Sequence, residues 1–360
     1  MRSERSVATS RREYIDVYKG LLMVLVAVGH SQMCSSGLDR FVYSFHMAAF
    51  FAVYGMSYSF EKRNQQFGNW HDLLRFAGKK ATKIMIPYLI WALFYNTLTF
   101  GNLGRILYGS SQSLTEAGGL SSLWFLPSYY VAVLLFESFG CFARKISFLE
   151  NRNWLICVIS VLLFGTAGYL LPKLKETGYP WGVNIGIMAC SFFGAGYLIN
   201  LLFNKVRFLR NTFVLIAISM ACFFIVYFTY SLNITESRHV SLARSSFGNP
   251  FLFVLDTISG MICILSAALV ISKHGRLSKK AFCYIGTNTM GIFLTHKNLQ
   301  YRINSLLKSS GINNTAALLM GVVITIIICS GITWLILRIC PVILGESGKK
   351  KAESNSLLEG

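Results

Sequence analysis

Three histidines lie within apolar segments, where an ionisable side chain is costly to bury. His30, His46 and His296 are three of only six histidines in the chain. Imidazole titrates near neutrality, so a neutral histidine can take a proton from a hydroxyl group and release it again. A single buried histidine is more often a hydrogen-bonded core residue. Three at one depth would instead favour proton transfer in a shared polar cavity.

Two charged residues precede His30 on the same predicted helix. At about 100° per residue, Asp16, Lys19 and His30 lie on one side of that helix. Ionisable groups within a span are candidates for function, because their burial costs free energy unless partners or water compensate. The alternative is that Asp16 and Lys19 form an i,i+3 ion pair at the membrane boundary. That alternative explains His30 poorly.

Metal binding by three histidines is conceivable, but the spacing does not support it. The chain has no HxH, HxxxH or HxxE pattern at these positions, and its nine cysteines are scattered singly without a CxxC pair. Buried single cysteines are usually small core residues. We therefore expect no metal and no disulfide framework.

The elements that carry these residues are predicted to be membrane helices. The chain is 54% hydrophobic and 14% charged, with a mean hydropathy of +0.51, whereas soluble domains carry about 25% charged residues. Apolar runs long enough to cross the hydrocarbon recur along its length. We predict an all-α polytopic membrane protein with one transmembrane domain over 1–345 and a short polar cytoplasmic tail over 346–360. The predicted spans, about ten in one bundle, are 17–34, 41–60, 84–100, 123–142, 154–171, 181–203, 212–232, 251–272, 282–299 and 316–339.

The net charge of +19 follows the predicted topology. With the N-terminus in the cytoplasm, cytoplasmic segments hold 24 lysines and arginines and outward loops hold eight. This bias predicts that both termini are cytoplasmic. The basic character therefore indicates orientation in a lipid bilayer and no nucleic-acid partner. The sequence does not predict an oligomeric state.

The three histidines fall at similar depth in this arrangement. At 1.5 Å per residue, His30, His46 and His296 lie ~18, ~22 and ~21 Å from the cytoplasmic edge of the hydrocarbon. They belong to three different predicted helices. The sequence therefore predicts that they meet in one cavity.

Five segments occur in order along the chain: "RREYIDVYKGLLMVLVAVGHS", "FHMAAFFAVYG", "KKATKIMIPYLIW", "LWFLPSYY" and "IGTNTMGIFLTH". Together they resemble the integral-membrane acyltransferases of family 3, and within that family the branch that looks like fucose 4-O-acetylases. Three positions depart from the family pattern. Ala48 replaces a proline, Tyr54 replaces the serine before a glycine, and Thr289 replaces the serine after Asn288. The first two are expected to alter the cavity wall.

The resemblance implies a membrane-bound O-acyltransferase in the inner membrane of a bacterium. It would move an acetyl group from acetyl-CoA, held on the cytoplasmic side, to a sugar hydroxyl in a surface polysaccharide or lipid-linked glycan. His30 is expected to take the hydroxyl proton, with His46 beside it. Asp16 and Lys19 are expected to organise the cytoplasmic mouth of the cavity.

Other residues are predicted to hold the two substrates. The basic residues expected to meet CoA phosphates are Arg12, Lys79, Lys80 and Lys83. The residues expected to contact the acceptor are Trp124, Asn288 and His296. Each has a second interpretation: the basic residues can serve topology alone, Trp124 can be an interfacial belt residue, and Asn288 can link helices.

A multipass transporter of a small molecule or glycan precursor is the alternative function. Such a protein would also carry intramembrane histidines and acids. Transporters usually show internal repeats or spans broken at glycine or proline, and the sequence shows neither. A scaffold role would not require histidines at matched depth.

Overall fold

The computed structural model describes residues 2–67, 70–96, 99–118, 120–171 and 178–346, with side chains from Glu13 onward apart from 64 and 65. Nearly all of the predicted tail over 346–360 lies outside these residues. Regular structure in the described ranges is helical, and the isolated β-bridge among them joins Ser241 and Ser246. The α-helices are α1 Arg2–Gly29, α2 Ser36–Tyr43, α3 His46–Met56, α4 Phe60–Gln66, α5 Trp70–Phe94, α6 Phe100–Tyr108, α7 Ser111–Glu116, α8 Phe125–Ala143, α9 Asn153–Leu170, α10 Val183–Lys205, α11 Thr212–Thr229, α12 Pro250–His274, α13 Arg276–Thr287, α14 Thr289–Ser309 and α15 Asn314–Ile339. Short 3₁₀ segments are Ser121–Trp124, Pro180–Gly182, Arg207–Arg210 and Pro341–Leu344.

Six helical stretches in the described part of the chain are long and apolar enough to cross a membrane. They are Ser121–Ala143, Asn153–Leu170, Pro180–Lys205, Thr212–Thr229, Pro250–His274 and Asn314–Ile339. This confirms the prediction of an all-α, multi-pass membrane protein. A count of ten spans, and the orientation of the termini, stay predictions.

Three of these six helices begin at an asparagine cap. The side-chain oxygens of Asn211, Asn249 and Asn313 accept hydrogen bonds from backbone N–H groups in the first turns of α11, α12 and α15. Pro250 follows Asn249 at the first position of α12, where its missing N–H costs nothing. Local sequence therefore fixes where these spans start.

Two helices form the centre of the bundle. Helix α1 packs against α2, α3, α12, α13, α14 and α15, while α10 packs against α3, α8 and α9. Helix α3 contacts both and joins the two halves. No residue from Glu13 to His30 is exposed. Leu22 and Val26 of α1 are buried in the bundle.

Helices α1 and α13 approach each other through glycines. A Cβ atom on Gly20 would lie 2.2 Å from the carbonyl oxygen of Phe282, and one on Gly286 would lie 1.8 Å from that of Asp16. Only a residue without a side chain allows this backbone contact. The helix that carries Asp16 is thereby held directly against α13.

Two predicted spans are interrupted within their length, a feature that the search for glycine and proline breaks did not predict. The second, 41–60, holds the end of α2, all of α3 and the first residue of α4, and α2 and α3 are separated by Ser44 and the non-helical Phe45 (φ −143°, ψ −26°). The ninth, 282–299, consists of α13 and α14, which are separated at Asn288. No glycine or proline marks either break. The Ser44 hydroxyl instead donates to the Phe41 carbonyl at 2.8 Å, a local bond that satisfies a helix end.

Candidate functional site

The structure brings the three predicted histidines together. His30 follows directly after α1, His46 begins α3, and His296 lies within α14. The ring centroids of His30 and His296 are 5.1 Å apart. Tyr43 packs edge-on against two of the three histidines: its ring centroid lies 4.8 Å from that of His46 and 6.5 Å from that of His30. We call these four residues the histidine cluster.

Backbone carbonyls orient two of these rings. His46 Nδ1 lies 2.7 Å from the Val42 oxygen, and His296 Nδ1 lies 2.7 Å from the Phe293 oxygen. A carbonyl can only accept, so Nδ1 carries the hydrogen in both residues. In the neutral ring, Nε2 then presents a lone pair. His296 Nε2 is buried and has no hydrogen-bond partner among the described residues.

Helix α14 also holds the chain segment that carries His30. Gln300 and Asn304 follow His296 at intervals of four residues, and all three are fully buried. Gln300 donates to the Ala27 carbonyl at 2.5 Å, and Asn304 donates to the Ser31 hydroxyl at 3.1 Å. Ala27 lies in the last turn of α1, where carbonyls lack helical partners. These bonds fix the position of His30 relative to His296.

A cavity lies beside Lys19 and reaches residues next to the histidine cluster, although none of the three histidines is among its lining residues. It encloses about 770 Å³ of space not filled by protein atoms, part of which is open to solvent. Val26, Met47 and Phe293 line the part near the cluster, and the Phe293 ring lies 5.8 Å from that of His296. The other described lining residues are mainly aliphatic or aromatic, and Lys19 is the charged residue among them. We call this space the apolar cavity.

The expected ion pair at the start of the first span is present. Lys19 Nζ lies 2.6 Å from Asp16 Oδ1, and both side chains are about a quarter exposed, at 23% and 24%. The boundary ion pair therefore exists, and its lysine also lines the apolar cavity. Lys19 lies ~16 Å from His30 along α1, so the ion pair is apart from the histidine cluster.

The predicted basic residues do not form one patch. The side chain of Arg12 lies outside the described residues. Lys79 and Lys83 are exposed one turn apart on α5. Lys80 is half-buried, with its Nζ 5.6 Å from the ring centre of Tyr54 and 5.4 Å from that of Phe76. Burial and the neighbouring Arg63 guanidinium lower the pKa of Lys80.

A buried carboxylate near Lys80 was not predicted from the sequence. Glu137 on α8 is fully buried, and its carboxylate lies 2.9 Å from Arg63 Nε. The hydroxyls of Tyr54 and Tyr58 also donate to this carboxylate. Such complete pairing compensates the desolvation of a buried charge.

The positions that depart from the family pattern have different surroundings from those expected. Ala48 and Tyr54 are buried, and neither lines the apolar cavity, whereas Thr289 does. Tyr54 instead completes the bonds around Glu137. Ala48 and Tyr54 therefore do not line the apolar cavity, and their effect on the substrate cavity stays a prediction.

The remaining predicted acceptor residues lie apart from the histidine rings. Trp124 is 7% exposed at the end of the 3₁₀ segment before α8, and its neighbour Phe125 lines the apolar cavity. The nearby Ser121 hydroxyl accepts from Lys297. Asn288 Nδ2 donates to the Tyr284 carbonyl at 2.8 Å, which satisfies the end of α13. This is a local bond within the broken span.

Sequence reasoning also missed residues that contact the histidine cluster. His239 stacks on Tyr43 at 3.9 Å, and its Nδ1 lies 2.9 Å from Asp39 Oδ2. Neither His239 nor Asp39 belongs to a predicted span, so no periodic pattern singled them out. A signal for Gln300 and Asn304 did exist, because they continue the face of His296 at helical spacing.

Among the described residues, no group of three or more His, Cys, Asp or Glu side chains is arranged to hold a metal ion. The His30 and His296 rings approach each other as a tilted pair. Their known contacts are with rings and backbone carbonyls, so we assign them no metal.

Comparison with known proteins agrees with the sequence motifs. A relative in Sinorhizobium fredii (strain NBRC 101917 / NGR234), Nodulation protein NolL, is 26% identical over 189 residues, which are 48% of this chain and 48% of the relative. The match therefore covers about half the length of each protein. The family model described as "Acyltransferase domain", family 3, matches residues 12–334. Because that match covers most of the chain and all three clustered histidines, this protein belongs to acyltransferase family 3.

Proposed function

We propose that this protein is an acyltransferase that moves an acetyl group from acetyl-CoA to a hydroxyl of a sugar in a surface polysaccharide or lipid-linked glycan. The observation that carries the proposal is the gathering of three histidines from three separate segments, beside an apolar cavity that is lined by Lys19 and by residues next to these histidines. We place the protein in the inner membrane of a bacterium, with ten spans and both termini in the cytoplasm.

The donor is proposed to enter at the Lys19 end of the apolar cavity. From Lys19 to His30 along α1 is ~16 Å, a span suited to the extended pantetheine arm of CoA. Lys79 and Lys83 are exposed one turn from Ile84, which lines the cavity, and they can pair with phosphates as charge-assisted donors. Arg12 is proposed to join them, while Asp16 orients Lys19 through their ion pair. Apolar walls would limit competing attack by water.

His30 is proposed as the base. As the sugar hydroxyl oxygen forms a bond to the thioester carbonyl carbon, His30 takes the hydroxyl proton. The carbon–sulfur bond then breaks, and the proton passes to the departing thiolate. His46 and His296 belong to the same cluster, with Nε2 lone pairs set by their backbone bonds, and are proposed to orient the acceptor hydroxyl. Trp124 and Asn288 are retained as acceptor contacts in this proposal.

The central test is transfer of labelled acetyl groups by protein reconstituted in liposomes. His30→Ala should lower kcat by about 10²- to 10⁴-fold, the usual contribution of a positioned base. His71→Ala is the matched control, because His71 is an exposed histidine on α5 outside the histidine cluster. A folded His30→Ala protein with near-normal transfer would falsify the assignment of the base.

Transport is the second candidate function, and the broken helices favour it. Breaks at Ser44–Phe45 and at Asn288 remove one sequence argument against a transporter. The two functions differ in their products. Transfer releases free CoA in step with acetylated glycan, whereas transport alone moves labelled glycan across the liposome membrane without CoA release.

A further inference from the structure

A second cavity lies beside α2 and is polar where the first is apolar. It comprises about 380 Å³ of space not filled by protein atoms, part of which is open to solvent, between α2 and the segment that follows α11. Arg40, Arg238 and His239 line it, together with hydroxyl and amide side chains that include Ser231 and Asn233. We call it the arginine cavity. Its lining suits a ligand rich in hydroxyl and anionic oxygens.

The segment that forms this cavity is held in place by its own hydrogen bonds. Ser241 and Ser246 form an antiparallel bridge with bonds of 2.8 and 2.9 Å. Asn233 donates to the Phe247 carbonyl at 3.1 Å and accepts from the Asn249 N–H at 2.8 Å. The arginine cavity is therefore a built feature of the fold.

The charges around the cavity are unbalanced. Asp39 Oδ2 lies 2.9 Å from His239 Nδ1 and 3.6 Å from Arg238 Nε, so a single carboxylate pairs with both side chains. Arg40 uses Nε to donate to the Arg238 carbonyl at 3.1 Å. Within the described residues Arg40 forms no ion pair, and no acidic residue lines the cavity. An uncompensated guanidinium here favours an anionic ligand.

The arginine cavity adjoins the histidine cluster through the stacked rings of His239 and Tyr43. His239 lines the cavity and stacks on Tyr43 at 3.9 Å. Tyr43 contacts His46 at 4.8 Å and His30 at 6.5 Å. The His239 and Tyr43 rings thus connect the arginine cavity to the ring of the proposed base.

We propose that the arginine cavity is the acceptor subsite and that it takes an acidic glycan. Carboxylate or phosphate oxygens on the glycan pair with Arg40 and Arg238, while Tyr43 and His239 form the wall that the reacting sugar must pass. This inference rests on the proposed function, since it names the acceptor class for the same reaction. Arg40 and Arg238 act in specificity and do not touch the reacting atoms.

The test compares three acceptors at saturating acetyl-CoA: a glucuronate-containing oligosaccharide, its carboxyl-reduced neutral counterpart, and a phosphate-bridged oligosaccharide. Wild-type protein should prefer at least one acidic acceptor. Arg40→Gln and Arg238→Gln should each raise the KM for that acceptor about tenfold, as expected for a lost charge-assisted hydrogen bond. The KM for acetyl-CoA should not change. A preference for the glucuronate-containing acceptor would identify a carboxylate as the anionic group that binds the arginines. A preference for the phosphate-bridged acceptor would identify a phosphate.

Two sets of variants control for misfolding. Arg302→Gln removes an exposed arginine on α14 that does not line the cavity, and it should leave acceptor preference unchanged. Arg40→Lys and Arg238→Lys retain the charge and should retain part of the preference. Equal use of acidic and neutral acceptors by wild-type protein, or an unchanged preference in both glutamine variants, would overturn this inference alone. Absence of transfer to every glycan would overturn the proposed function as well.

Discussion

His30 differs from the other clustered histidines in how its ring is held. His46 and His296 each donate from Nδ1 to a backbone carbonyl about one turn earlier, which fixes their rings. His30 lies just beyond the end of α1, and within the described residues its imidazole makes ring contacts but no hydrogen bond. A general base needs one ring nitrogen with an accessible lone pair. At the residue scale, His30 is compatible with its proposed role as the base, and the Nε2 lone pairs of His46 and His296 suit the neighbouring roles proposed for them.

The exposed lysines of α5 should contribute to donor binding. Lys79→Gln combined with Lys83→Gln should raise the KM for acetyl-CoA about tenfold, because two charge-assisted phosphate contacts are lost. The kcat of this double variant should stay unchanged, since neither lysine belongs to the histidine cluster. Steady-state kinetics with acetyl-CoA varied at fixed acceptor measure this. Lys145→Gln, an exposed lysine outside α5, is the control; an unchanged donor KM in the double variant would leave the α5 lysines as topology signals only.

His46 should show the opposite kinetic pattern. Its buried ring contacts Tyr43 within the histidine cluster, so His46→Ala should lower kcat with little change in the KM for acetyl-CoA. The same kinetic series measures both constants. A raised donor KM with normal kcat would contradict the placement of His46 beside the reaction centre.

At the scale of the elements, the sequence predicted where helices occur better than where two of the predicted spans are interrupted. Apolar runs with capping asparagines located α11, α12 and α15, because burial and capping act locally. The breaks after α2 and α13 carried no glycine or proline signal, since they arise where Ser44 and Asn288 bond to nearby carbonyls. Depth along the helices predicted that the three histidines meet. The Asp39–His239 pair could not be predicted, because it joins two segments 200 residues apart without periodicity.

The contact between α1 and α13 gives a prediction about stability. Gly20→Ala places a Cβ atom 2.2 Å from the Phe282 carbonyl oxygen, so the helices must separate. We expect a loss of about 1–3 kcal/mol in the free energy of unfolding, the usual cost of overpacking. Thermal unfolding in detergent measures the change.

Gly331→Ala is the matched control for this prediction. Gly331 also lies within a long helix, α15, but a Cβ atom there would meet nothing within 4 Å. Because alanine favours helix over glycine by about 1 kcal/mol, this variant should be unchanged or slightly more stable. Equal effects of the two substitutions would show that backbone contact between α1 and α13 is not what Gly20 provides.

At the scale of the whole molecule, the two cavities approach the histidine cluster from different elements. The apolar cavity is lined by Lys19 and by Ile84, which follows Lys83 on α5, while the arginine cavity is formed by α2 and the segment after α11. In the predicted topology, the first opens toward the cytoplasm and the second toward the outside. The donor and the acceptor would then reach one set of histidines from opposite sides of the membrane. This arrangement depends on the orientation of the bundle.

Orientation can be tested by cysteine labelling of intact cells. Trp70→Cys lies in the predicted cytoplasmic segment and Thr115→Cys in a predicted outward loop, and both positions are exposed. A Cys34→Ser background removes a half-buried native thiol near the predicted outer end of the first span. A membrane-impermeant maleimide should label residue 115 in intact cells and residue 70 only after permeabilisation, because the excess of lysine and arginine retains the segment around residue 70 in the cytoplasm. The reverse pattern would exchange the sides of the two cavities and place the donor lysines on the wrong face for cytoplasmic acetyl-CoA.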